Sequence, residues 1–136
     1  MAVLPTSTLN LSNGIVRQTS PSLTWGIDQE TKRIVGTVDL LDAVRQAIAA
    51  YLNIERFRWP IYQPYTGIEF NDLPGLPFGY VGAELQRRVR DALLVDDRIT
   101  GISDFTYTAS GDSLSASFTV NSVYGDFQSS VEVTQN

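Results

Sequence analysis

Carboxylates are the first residues of this 136-residue chain that could do chemistry. Glu55, Glu69 and Glu84 stand among several aspartates. Two such groups at a defined separation are what glycoside hydrolysis needs, one to protonate the leaving oxygen and one to attack or to activate water. Plainer work accounts for most of them. Asp39 and Asp42 open a helix, Glu84 falls in a first helical turn, and Asp96 with Asp97 sits at a turn. Asp91, Asp96 and Asp97 lack the alternating oxygens, central glycine and closing Glu of a calcium loop. The chain has no His and no Cys, which removes imidazole bases, thiolate nucleophiles, disulfides and the usual zinc ligands. The expectation is a protein that is not an enzyme and holds no metal or cofactor.

Arginine is the other chemistry-bearing residue, supplying nine of the ten basic side chains. Arg87, Arg88 and Arg90 fall on one helix with Arg98 after it, and are read as a solvated helix face or as contacts to the carboxylates of a partner. No aromatic residues interleave them, and the net charge of −5 with pI near 4.5 makes a nucleic-acid footprint improbable. The run Glu55-Arg56-Phe57-Arg58-Trp59-Pro60 has the composition of a protein interface, with Arg and aromatic residues side by side. It also reads as a helix end whose arginines satisfy terminal carbonyls and pair with Glu55. Both readings stand together.

These groups need elements to position them. Hydrophobic residues make up 43% and charged residues 18%, with mean hydropathy −0.06, which fits one packed domain. No apolar run reaches the ~18–20 residues of a membrane span, and the opening residues do not read as a secretory signal. Residues 1–22 are rich in Ser, Thr and Asn and read as a flexible N-terminal arm, with residues 23–136 as the single domain. Residues 23–28 and 32–38 alternate apolar and polar positions and predict a β-hairpin.

Asp39 predicts a helix N-cap. Leu41, Val44, Ile48, Tyr51 and Leu52 repeat at helical spacing up to about Asn53. Residues 54–82 hold no helical stripe but carry four prolines and half of the chain's fourteen aromatic residues. Only residues 56–62 could extend there as a short strand, and Pro77-Phe78-Gly79 reads as turn punctuation. Helical period returns over residues 82–96, with Leu85, Val89, Ala92 and Leu93 inward and Arg87, Arg88 and Arg90 outward. Strands follow over 99–110 and from 113, joined at Gly111 and Asp112, and a last one over 127–133. Leu114, Ala116, Phe118 and Val120 should face one side. The whole predicts an α+β fold, mainly an antiparallel sheet with two principal helices packed on it.

The run RIVGTVDLLDAVRQAIAAYLNIERFRWPIY, then GIEFNDLPG, a helix and a β-rich tail, resembles the baseplate proteins of contractile-tailed phages and defective prophages. These are similar to the lysozyme-like baseplate wedge family, whose members act as sheath initiators. The resemblance covers residues 23–133 and is most specific over 33–75.

It implies a small α+β component of the virion tail baseplate, made in the host cytoplasm and set in six copies around the tail axis. Its implied partners are baseplate wedge proteins, the tail tube and the sheath subunits, with no nucleic acid and no membrane. The family's Glu-Pro-Arg signature meets the wedge bundle. Here Glu55 is followed at once by Arg56, with Arg58 two residues on, so either arginine could take the family role. Nothing in these residues supports the "lysozyme" label. The expected partner-binding residues are Glu55, Arg56, Arg58, Trp59 and Tyr62 in the loop, and Phe127, Val131 and Val133 on a docking strand. The alternative is an unrelated α+β adaptor module.

Overall fold

The computed structural model describes residues 21–134. Its order is β1 (Thr24–Ile27), β2 (Ile34–Val38), α1 (Leu40–Asn53), α2 (Phe78–Leu93), β3 (Ile99–Ser110), β4 (Ser113–Ser122) and β5 (Gly125–Thr134). The fold is α+β, as the pattern of the sequence predicts. β1 and β2 form a two-stranded antiparallel sheet, and β3, β4 and β5 a three-stranded one with β4 in the middle. The expected arm lies outside the described residues except for Pro21 and Ser22. Ser22 is buried and its hydroxyl donates to Asp39, so it belongs to the domain.

Asp39 caps α1 from extended backbone, its carboxylate accepting the Leu40 N–H. The Ser22 hydroxyl holds that carboxyl below its usual range. Val44, Ile48 and Leu52 of α1 and Val81, Leu85, Val89 and Leu93 of α2 are buried. They belong to one core with Leu114, Ala116, Phe118 and Val120 of β4. Burying each of these large side chains contributes roughly 1.5–3 kcal/mol before entropy is counted. Phe105 of β3 stacks on Phe118 with ring centroids 5.8 Å apart.

Three expectations need correction. α2 begins at Phe78, not Gly82, because Pro77 serves as its cap, and the first helical turn needs neither proline's missing N–H nor a free φ. It ends at Leu93 rather than Asp96. Within α2, the missing side chain of Gly82 makes room for the Tyr107 ring of β3, since a Cβ there would stand 2.6 Å from the ring. Residues 56–62 form turns instead of a strand, and Phe57 takes a left-handed backbone with φ 64°. β5 starts two residues early, after a two-residue turn at Val123 and Tyr124.

Candidate assembly surfaces

The segment between the helices has a fixed base and an open tip. At the base, Glu55 pairs with Ile68 in a parallel bridge, with Arg56 N–H to Ile68 O at 3.1 Å and Ile68 N–H to Ile54 O at 3.0 Å. The Glu55 carboxylate accepts the Phe70 N–H on both oxygens at 3.2 Å and the Asn71 N–H at 3.3 Å. Only glycine fits at position 67. Its φ is 94°, and a Cβ would meet Ile54 O at 2.3 Å. Ile68 and Leu73 are buried among the core residues and anchor the segment by apolar contact.

Arg88 fastens the far side of the segment. It grips the Asp72 carboxylate with two nitrogens, donates to Glu69 O at 2.8 Å, and donates from Nε to Glu84 at 2.9 Å. Its side chain is 13% exposed, so the expectation of an outward Arg88 is corrected: it is a structural tie. Arg87 stays on the surface, pairing with Glu84 and Asp91. Hydrogen bonds from Arg87 and Arg88 hold the Glu84 carboxyl down to about 2. The Arg88 hydrogen bond likewise lowers Asp72, and the Arg88 guanidinium is raised in turn. Burial pushes Asp96 up, but the Arg98 hydrogen bonds outweigh it and the net shift is downward.

The tip is different. Phe57 is 70% exposed and Ile61 84%, with Trp59, Tyr62 and Tyr65 also exposed. The Arg56 guanidinium lies 5.3 Å from the Phe57 ring centroid, and that of Arg58 5.3 Å from that of Trp59. Arg56 Nε donates to Pro64 O at 2.9 Å. Glu55 is thus spent on backbone amides at the base, while Arg56, Arg58, Trp59 and Tyr62 come together on an exposed aromatic and basic patch. Contiguous exposed apolar patches of this kind are uncommon on monomeric proteins.

The last three expected residues lie elsewhere. Phe127, Val131 and Val133 are 8%, 8% and 4% exposed and belong to the core, with Arg45 stacked over the Phe127 ring. Their side chains are not open to a partner. What β5 offers is backbone. Among the described residues it pairs with β4 alone, so its other edge is open. The two-residue turn makes Ser122 and Gly125 the closing hydrogen-bonded pair, and alternation then points the amides of Gln128, Ser130 and Glu132 outward. A groove of about 590 Å³ runs beside this edge, lined by Ala49, Leu52, Phe70 and Ser129 among others.

Sequence reasoning finds the β1–β2 hairpin but not its surface. Leu23, Trp25, Ile34 and Val35 are each between 64% and 67% exposed. Their alternation signals a strand, and what it lacks is any second apolar layer to cover them. Arg88 and Gly67 escape it for a related reason, since both answer to backbone groups distant in sequence. Among the described residues no group of carboxylates is placed to hold a metal ion, and no helix is long and apolar enough to cross a membrane.

The small α+β domain thus presents an exposed aromatic and arginine loop tip and an open β5 edge. The profile of the contractile injection system sheath initiator family matches residues 23–125, and the chain belongs to that family. It is 32% identical over 111 residues to the phage-like element PBSX protein XkdS of Bacillus subtilis (strain 168), covering 79% of each chain. It is accordingly a component of a phage-like contractile tail particle, in a structural family not known for enzymes.

Proposed function

We propose that this chain links the wedge proteins of a contractile baseplate to the sheath, seated around the tail tube in six copies, and starts sheath assembly without catalysing a reaction. The observation that carries the reading is the open edge of β5, with unpaired amides outward and apolar side chains locked in the core. Such an edge accepts a strand from the first ring of sheath subunits through main-chain hydrogen bonds. Asp126 and Glu132 give it negative charge, which discourages pairing among copies and favours a basic incoming strand. The loop tip supplies the other attachment. Arg56 and Arg58, stacked on aromatic rings, present guanidinium groups to wedge carboxylates.

The test replaces Ser130 by proline, removing one outward N–H without touching the β4 ladder. Baseplates carrying Ser130→Pro should assemble yet grow no sheath. Normal sheath growth from them would refute the β5 role.

A further inference from the structure

The three-stranded sheet has two outer edges, and they are unequal. β4 and β5 pair residue for residue, from Ser113 opposite Thr134 to Ser122 opposite Gly125, with no shift of register. The β5 amides of Asp126, Gln128, Ser130 and Glu132 therefore face outward in one unbroken row. β3 begins in the same way. The two-residue turn at Gly111 and Asp112 makes Ser110 and Ser113 the closing pair, so the amides of Ala109 and Tyr107 face outward.

Then the row breaks. Asp104 and Phe105 both stand opposite Phe118, between the pairs Ser103–Thr119 and Thr106–Ser117. Asp104 takes a left-handed backbone with φ 53°. Beyond this bulge the alternation is reversed: the Ile102 carbonyl faces outward and accepts from Arg90 Nη2 at 3.5 Å. Outward groups thus fall at 109, 107 and 102, and a regular strand with its two-residue spacing cannot match all three.

The free end of β3 would otherwise pair readily. Thr106, Tyr107, Thr108, Ala109 and Ser110 are exposed, and Tyr and Thr favour strands. A sheet with two open edges can add β5 of one copy to β3 of the next. That contact is head-to-tail and leaves a free edge at each end, so it repeats without closing. Charge also opposes it. Asp104 is exposed on β3 while β5 carries Asp126 and Glu132, and like charges across a strand seam repel.

We propose that the Asp104 bulge is a stop that leaves the sheet one usable edge, by keeping β5 of a second copy off β3. β5 then stays free for a strand of another protein. The stop depends on β5 being open and not on what fills it, so it can fail while the sheath reading stands.

Deletion of Asp104 leaves Phe105 alone opposite Phe118 and makes the β3 ladder regular. Sedimentation of the full chain should then show a mass that grows with concentration, where the wild type stays a single copy. Adding Ser130→Pro to the deletion should restore the single copy, because it removes an outward β5 amide from the middle of the seam. Asp104→Gly keeps the bulge, removes the charge and should remain a single copy. A deletion variant that stays a single copy with wild-type melting would overturn the stop. Association that survives Ser130→Pro would overturn it too, since it would come from unfolding or from another surface. Equal association of Asp104→Gly would make charge the barrier and overturn the role of the bulge. Amide exchange decides the matter if the deletion variant fails to fold. A peptide of residues 125–134 added to the wild-type chain should leave exchange at Tyr107 and Ala109 unchanged. Slowing of either by about tenfold or more would show the β3 edge open and overturn the proposal.

Discussion

Arg88 holds Asp72 through two parallel hydrogen bonds across 16 residues of sequence, and so joins the middle of α2 to the loop that carries the aromatic patch. Both guanidinium edges are engaged, since Glu84 takes Nε and the Glu69 carbonyl shares Nη1. Replacing Arg88 with Met keeps much of the stem and removes these bonds. We expect a loss of about 1–3 kcal/mol, mainly from the part-buried Glu69 carbonyl and Glu84 carboxylate, because the exposed Asp72 regains water. Denaturant unfolding measures it, and wild-type stability in Arg88→Met would show that the tie is idle.

Gly67 should tolerate no side chain. Gly67→Ala must both hold a left-handed backbone and push a Cβ into the Ile54 carbonyl, at a cost of about 1–4 kcal/mol. A crystal structure or exchange at the Arg56 and Ile68 amides would locate the damage at the bridge, and an undamaged bridge would contradict this account of the loop base.

Acid should loosen the same region before the core. The folded Glu84 carboxyl is held at about 2 against an ordinary 4.5, so the unfolded chain binds the proton more readily. Stability from this group is complete above about 4.5 and is lost as pH falls towards about 2. Melting temperature followed from pH 6 to pH 2 should fall less steeply for Glu84→Gln than for the wild type. Parallel curves would mean that the pairs with Arg87 and Arg88 add nothing in solution.

The arginines of the tip should separate binding from folding. Where Arg56 or Arg58 meets a desolvated wedge carboxylate, truncation to alanine should cost roughly 2–5 kcal/mol of affinity. Arg58 is exposed, so its loss should change melting little, whereas Arg56 is half-buried and loses its bond to Pro64 O, so its loss should lower melting slightly. Titration of wedge protein with each variant also decides which arginine takes the anchoring role, and full affinity in both would end it.

Removing residues 127–136 should unfold the domain, because Phe127, Val131 and Val133 belong to the core. A strand whose side chains were free for docking would instead be dispensable for folding. Circular dichroism of the truncated chain tells the two apart, and a folded product would mean that the core is complete without β5.

Local signals are legible in the sequence alone. Asp39 marks the start of α1, the 3.6-residue stripe from Val44 to Leu52 marks its buried face, and Gly111 with Asp112 marks the β3–β4 turn. These depend on neighbours in the chain. Pro77 misleads because proline close to glycine signals a turn and a helix start alike, and the burial of Val81 in the first turn of α2 depends on a core assembled from residues distant in sequence. The tip is legible by composition, since arginine beside exposed aromatics has few uses inside a core. The strand FQSSVEV is legible as an edge but not in direction: alternation says that Phe127, Val131 and Val133 share a face, not that this face is the buried one.

The fixed base of the loop bears on how fast assembly can go. A segment that must order as it binds spends affinity and time on finding its shape. Here Glu55, Gly67 and Arg88 have already set the frame from which Arg56 and Arg58 project. If the proposed wedge attachment holds, the arriving partner meets a frame already set, and its encounter should be limited by collision and orientation rather than by refolding.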